Sequence, residues 1–360
     1  MGMFPPGQFL GRGDSRQMTH NRLWRLILRR LPLVVLAVAV VVWLVAKGSE
    51  SGTTFVQVTL NGLTLAALLF VVAAGFTLIF GLMRVVNMAH GSLFLFAGYL
   101  AFKAQEAWFG VSSNLLGNSG AITVASWVVS LIFACAVVGL IGIAMQQLLL
   151  RWNQGQELRQ ALITIAISVI AADQLEAHYG GVSQSIQTPT SWPISVSVLG
   201  THYGFFRLVV VGGSAIVVGA LLYLMIKRTR FGMVVRAGVD DRAMVSAMGI
   251  NIQLVFAAAF FVGALLAALG GVLAGTMLSI QPGNDSQFLL YSLIVVIIGG
   301  MGSLGGAAIG ALALGLVNSY SDVYLQFGST NLTNYAILLT FILVVAVLAV
   351  RPLGLFGRPA

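Results

Sequence analysis

The chain has 360 residues, of which 58% are hydrophobic and only 8% charged. A soluble domain carries about 25% charge, so this composition excludes a water-soluble globular protein and makes a bilayer the solvent. The net charge of +9 invites a nucleic-acid reading, but basic residues in a membrane protein first report topology, and no nucleic-acid partner is expected.

Residues 1–30 are polar and basic, with Arg12, Arg16, Arg22, Arg25, Arg29 and Arg30, and form a predicted cytoplasmic N-terminal segment. An apolar run follows at 31–46. A cleaved signal peptide would need a small-x-small site before Lys47, and none follows cleanly, so a retained anchor helix within 31–50 is expected. The main membrane domain then occupies 51–360. Its apolar runs cover about 55–81, 88–105, 121–150, 160–178, 205–226, 251–275, 288–300, 305–322 and 332–350. Most are long enough to cross as helices; 288–300 is short and 88–105 marginal.

Parity sets the expected count at ten transmembrane helices, an all-α polytopic membrane protein with both termini cytoplasmic. All but Lys47, Lys103 and Arg207 of the 19 lysines and arginines then face the cytoplasm. Fusing 288–322 into one span would put Arg351 and Arg358 outside. Spans two to five start outside and spans seven to ten inside, so the halves are expected to be inverted. The two shortest runs hold matching places and adjoin polar or glycine-rich breaks, a pattern that points to a central pathway.

The stretch 84–98, RVVNMAHGSLFLFAG, opens an apolar run on Arg, Asn and His. Polar groups at the mouth of a span are costly and are kept for folding or for function. In the bland reading Asn87 caps a helix, Arg84 faces the cytoplasm and His90 bonds a neighbouring carbonyl. In the functional reading Asn61, Asn87 and His90 line the translocation path.

Cys135 lies inside an apolar run and reads as a packed thiol. Asp173, Glu176 and His178 crowd the outer end of a span, where a solvated helix end is expected over a metal or proton site. Residues 227–251 are the longest polar interruption in the apolar array. Asp240 or Asp241 is expected to cap a short helix there, next to Arg242, with Gly249 closing it in a left-handed conformation. Met244, Ala247 and Met248 fall on one face of that helix. Such a face lies on lipid headgroups or enters a groove on a partner protein.

Gly300-Met301-Gly302-Ser303-Leu304-Gly305 fits the dinucleotide fingerprint letter for letter, with Asp322 about twenty residues on. Long apolar helical runs flank it in place of an alternating strand and a polar helix. It therefore reads as a tight turn between spans, with Gly306 and Gly310 serving helix packing. No Walker A, H-E-x-x-H, C-x-x-C or G-x-S-x-G pattern occurs, so no catalytic residue, cofactor or metal is expected.

Three blocks, taken in order, carry a family resemblance. GFTLIFGLMRVVNMAHGSLFLFAGYLA (75–101) resembles the signature of the H-type permease subunit of branched-chain amino acid ABC importers. Residues 231–275 resemble that family's cytoplasmic coupling loop and following span, and 294–317 with RPLGLFGRP (351–359) its C-terminal third. The likeness covers about 55–359. It implies the ABC importer permease fold in a bacterial inner membrane, a second homologous permease, two cytoplasmic ABC ATPase subunits and a periplasmic or extracellular solute-binding protein. It also marks Arg236, Asp241, Met248, Gly249, Ile250 and Asn251 as coupling positions, beside Asp240, Arg242 and Met244, and Asn87, Ala89, His90 and Gly91 as the signature of the third span.

Two features depart from the family pattern. The first 50 residues are additional. The segment 163–181 carries Asp173-Gln174 and Glu176 where the family has a glutamine–asparagine pair. Branched-chain amino acids are the expected solutes; urea, short amides or another small polar solute are the alternative. A stand-alone secondary transporter or channel would need intramembrane acids, and the spans hold almost none away from their ends.

Overall fold

The structure is a computed structural model that describes residues 51–83, 86–110, 122–153, 155–240, 242–324, 326–327, 330–331 and 336–357. The N-terminal basic segment, the anchor expected at 31–50, Arg84, Asp241 and Arg358 lie outside the described residues. The contacts divide the chain into Met1–Val56 and Gln57–Ala360. In the first unit, Ser51 and Thr54 join their hydroxyls at 2.9 Å at the start of a helix. The second unit holds everything that follows.

Each apolar run of the main domain becomes a helix: α1 (Gly52–Met83), α2 (His90–Phe109), α3 (Val124–Ala144), α4 (Glu157–Tyr179), α5 (Gly212–Arg228), α8 (Ile252–Met277), α9 (Asn284–Gly299), α10 (Leu304–Tyr324) and α11 (Ala336–Val350). α3 runs on through π and 3-10 turns to Asn153, and a π turn at Phe206–Val211 leads into α5. Between α5 and α8 lie the short α6 (Arg230–Asp240) and α7 (Arg242–Ala247). Among the described residues, six helical stretches are long and apolar enough to cross a bilayer. α2 carries Lys103 and Glu106, joined at 2.5 Å, and α9 and α11 are shorter. The protein is an all-α polytopic membrane protein; its only described sheets are small hairpins.

α8 lies at the centre. Gly75 of α1 and Gly263 of α8 cross so closely that a Cβ on Gly75 would sit 2.6 Å from the Gly263 carbonyl oxygen. A Cβ on Gly271 would overlap the carbonyl oxygen of Phe94 in α2. Small residues permit these crossings, which in lipid depend on close packing because apolar burial supplies little drive. The core side chains Phe76, Phe94, Tyr99 and Phe260 are buried around them. α4 and α5 instead expose apolar faces: Val169 is 62% exposed and Ile216 76%. Those are surfaces for lipid or another subunit.

The chain reversals at one end of the bundle carry Arg151, Lys227, Arg228, Arg230, Arg236 and Arg351; this is its basic end. The opposite end carries the hairpin β1–β2 (Ser195–Val198, Thr201–Gly204). Leu199 and Gly200 join its strands, both with positive φ (48° and 81°), which suits a two-residue turn of the twisted type. Sequence reading did not anticipate this hairpin, because its strands are only four residues long.

Candidate translocation cavity and coupling surface

At the hairpin end, α1, β2, α9 and α10 surround a cavity of about 410 Å³. Tyr203 of β2 is buried and places its hydroxyl 3.0 Å from Asn61 Oδ1, to which it donates, and 3.0 Å from Thr64 Oγ1. The hairpin is thereby fastened to α1, and Asn61 faces the cavity. On the far wall the Tyr291 hydroxyl lies 3.2 Å from Gln287 Nε2 and 3.5 Å from Asn318 Nδ2. Arg207, just past the hairpin, and Asp322, near the end of α10, line the same space. They form no ion pair with each other, and Arg207 makes one long bond, 3.4 Å, to the carbonyl oxygen of Met277. Sequence reading did not join these two. Its topology does assign Arg207 and the end of the 305–322 run to one face of the membrane, which was the available signal.

Asn87 and His90 are not among the residues that line this cavity. α2 begins well inside the bundle: His90 is fully buried and its Nε2 donates to the main-chain oxygen of Val72 at 3.0 Å. Val72 precedes the end of α1 by roughly 16 Å at 1.5 Å per residue. The imidazole packs edge-on to Phe76. Asn87 is buried and does not cap the helix directly, because Ala89 holds that position; its Oδ1 accepts from Ala89 N at 3.1 Å. Asn87 Nδ2, His90 Nδ1 and Asp285 Oδ1 are buried without a hydrogen-bond partner among the described residues. Asp285 opens α9, and a Cβ on Gly91 would overlap its carbonyl oxygen. The N-terminal ends of the two short helices therefore touch inside the bundle.

The described residues expected to form the coupling loop lie at the basic end. Thr229 Oγ1 accepts from Gly232 N at 3.1 Å and starts α6, while Arg236 donates to the carbonyl oxygen of Ile226 at the end of α5. Val235 is buried with Ile79, Met83, Leu150 and Phe256, so α6 grips the ends of α1, α3 and α8. Asp240 closes α6 and Arg242 opens α7. Met244 and Met248, 65% and 72% exposed, share a face of that segment, whereas Val245 turns inward. Gly249 has φ 80°, the left-handed closure that its position predicts. Ile250 leads to Asn251, whose Oδ1 accepts from Gln253 N and Leu254 N and caps α8.

Gly300 and Gly302, with φ of 96° and 80°, form the turn from α9 to α10 at the basic end. The C-terminal stretch folds onto it: Leu355 N and Phe356 N donate to Ile298 and Gly299 at 2.9 and 3.0 Å. Asp322 sits at the opposite end of α10, so these glycines and that acid do not form one site. Asp173, Glu176 and His178 are exposed at the end of α4. Cys135 is partly buried, its Sγ 3.9 Å from the carbonyl oxygen of Leu265.

This arrangement, a polytopic helical bundle with a polar cavity at one end and a basic, partly exposed helical segment at the other, is that of a transport permease. Residues 58–348 match the family model described as "Branched-chain amino acid transport system / permease component", and the chain belongs to that family. It is 28% identical over 324 aligned positions to the high-affinity branched-chain amino acid transport system permease protein LivH of Escherichia coli (strain K12), covering 86% of this chain and 98% of the relative. It is also 28% identical over 313 positions to BraD of Pseudomonas aeruginosa, named a permease of the same kind of system, covering 85% and 96%. A probable LivH of Methanocaldococcus jannaschii is 26% identical over 293 positions, covering 81% and 89%. No solved structure matches the chain.

Proposed function

We propose that this chain is the transmembrane subunit of an ATP-driven importer of branched-chain amino acids, working in a bacterial inner membrane. The observation that carries this reading is the family match across 58–348, which includes both the cavity-lining helices and the α6–α7 segment. The full chain would cross ten times, with residues 1–30 cytoplasmic, an anchor in 31–50, and 51–360 as the permease domain with both termini inside. The basic end then faces the cytoplasm, in keeping with the preference of Lys and Arg for that side. Two inverted halves, α1–α4 and α8–α11, are supported by the matching places of α2 and α9.

Transport here is a conformational equilibrium biased by partners rather than bond chemistry. A solute-binding protein delivers the amino acid at the hairpin end. Two separate ATPase subunits and a second homologous permease complete the assembly. ATP-driven closure of the ATPases moves α7 through the exposed Met244–Met248 face. The grip of α6 on Ile79 and Phe256 relays that motion to α1 and α8. Affinity purification of the tagged full chain tests the assembly: a second permease and two ATPases should co-purify, and leucine-loaded binding protein should stimulate ATP hydrolysis. A chain that purifies alone and conducts solute without ATP is a stand-alone transporter.

A further inference from the structure

We propose that the hairpin-end cavity is a binding site for an amino-acid zwitterion: Arg207 takes the carboxylate, Asp322 takes the ammonium, and Leu65, Met277, Phe288 and Val323 receive an aliphatic side chain. The assignment rests on the amino-acid reading above and locates where, within this chain, that solute pauses. A volume of about 410 Å³ falls in the usual range for small-ligand sites, roughly 300–1,000 Å³.

The charges select the ligand. Arg207 and Asp322 line one cavity as opposite charges, yet they do not pair with each other, and the walls between them are largely neutral. Arg207 is half-buried and Asp322 exposed at the cavity mouth; a half-buried charge without a partner is unfavourable, and a ligand bearing both signs satisfies both groups at once. An acid lacking the ammonium would leave Asp322 unpaired and near a second negative charge; an amine lacking the carboxylate would leave Arg207 so. Urea and simple amides can hydrogen-bond to both groups but carry no charge to neutralise either. The guanidinium fork suits a carboxylate in particular, because it can donate two parallel bonds to it. Gln287, Tyr291 and Asn318 already bond one another along the wall, so the site offers oriented neutral groups around the two charges.

The test uses the full-length chain with its permease partner in lipid nanodiscs, without the solute-binding protein, and measures saturable binding of tritiated leucine. Leucine should bind, and 4-methylpentanoate and 3-methylbutylamine, which each lack one charge, should compete at least tenfold more weakly. Arg207→Gln and Asp322→Asn should each weaken leucine binding tenfold or more. Val323→Trp, which fills the cavity and leaves both charges, should abolish it; with Asp322→Asn it carries the test if Arg207→Gln does not fold. Leucine binding within twofold of wild type in the folded variants overturns the site. So does a wild-type pair that binds no leucine although the complete assembly imports it, and the branched-chain reading then still stands. A complete assembly that imports no leucine overturns that reading, and the site with it.

Discussion

Gly91 at the start of α2 lies directly against the main chain of Asp285 at the start of α9, with no room for a side chain between them. Two helices that reach the bundle interior from opposite ends thus meet at their N-terminal turns. A Cβ there must displace backbone, which cannot yield as the tip of a flexible side chain can. Gly91→Ala should therefore destabilise the fold by about 3 kcal/mol or more, at the upper end of overpacking costs. Gly212→Ala, where nothing lies within 4 Å, is the control. Thermal unfolding in detergent should show a large loss for the first and none for the second; equal midpoints would place α2 and α9 apart.

The bond from His90 Nε2 to the Val72 carbonyl pins the buried start of α2 to the middle of α1. His90→Leu keeps the bulk and removes the donor, so a stability loss of about 1–3 kcal/mol is expected. If His90→Leu is as stable as wild type but loses leucine uptake, His90 serves the pathway rather than the packing. The pair of measurements separates the two readings of this residue.

Met244 and Met248 present an apolar face on the exposed α7 segment, which Val245 anchors by turning inward. Truncating a central interface anchor costs about 2 kcal/mol or more, whereas a rim charge costs little. Met244→Arg combined with Met248→Arg should release the ATPases or uncouple hydrolysis from uptake. A purified double variant that retains its ATPases and transports at the wild-type rate removes these residues from the contact.

Orientation is open to a direct check. Reporters placed after Ser303 and after Ala360 should both read cytoplasmic. A periplasmic signal from the C-terminus would reduce the ten-span count and reverse the assignment of the hairpin end.

Sequence patterning made the helices of the main domain legible, because each apolar run, even the short one at 288–300, is bounded by polar residues or glycine. The boundaries differ by a few residues; α9, for instance, begins at Asn284 rather than 288, since its polar first turn faces the cavity and breaks the apolar run. The closure at Gly249 and the turn at Gly300 were legible too, because positive φ favours glycine. Asn87 was expected as a helix cap, yet the capping position falls two residues later, at Ala89, and Asn87 turns inward to bond Ala89. The pairing of Arg207 with Asp322 in one cavity was not legible. It depends on how α1, α9 and α10 converge under the hairpin, and hydropathy carries no record of which helices are neighbours. The contact of Gly91 with Asp285 was hidden for the same reason.

The central claim is ATP-driven import of branched-chain amino acids, and uptake into proteoliposomes tests it most directly. The permease pair, its ATPases and its own solute-binding protein are reconstituted together, and labelled leucine and urea are offered with and without internal ATP. The account predicts leucine accumulation that requires both ATP and the binding protein, with no uptake of urea. ATP-dependent accumulation of urea with none of leucine would contradict the account.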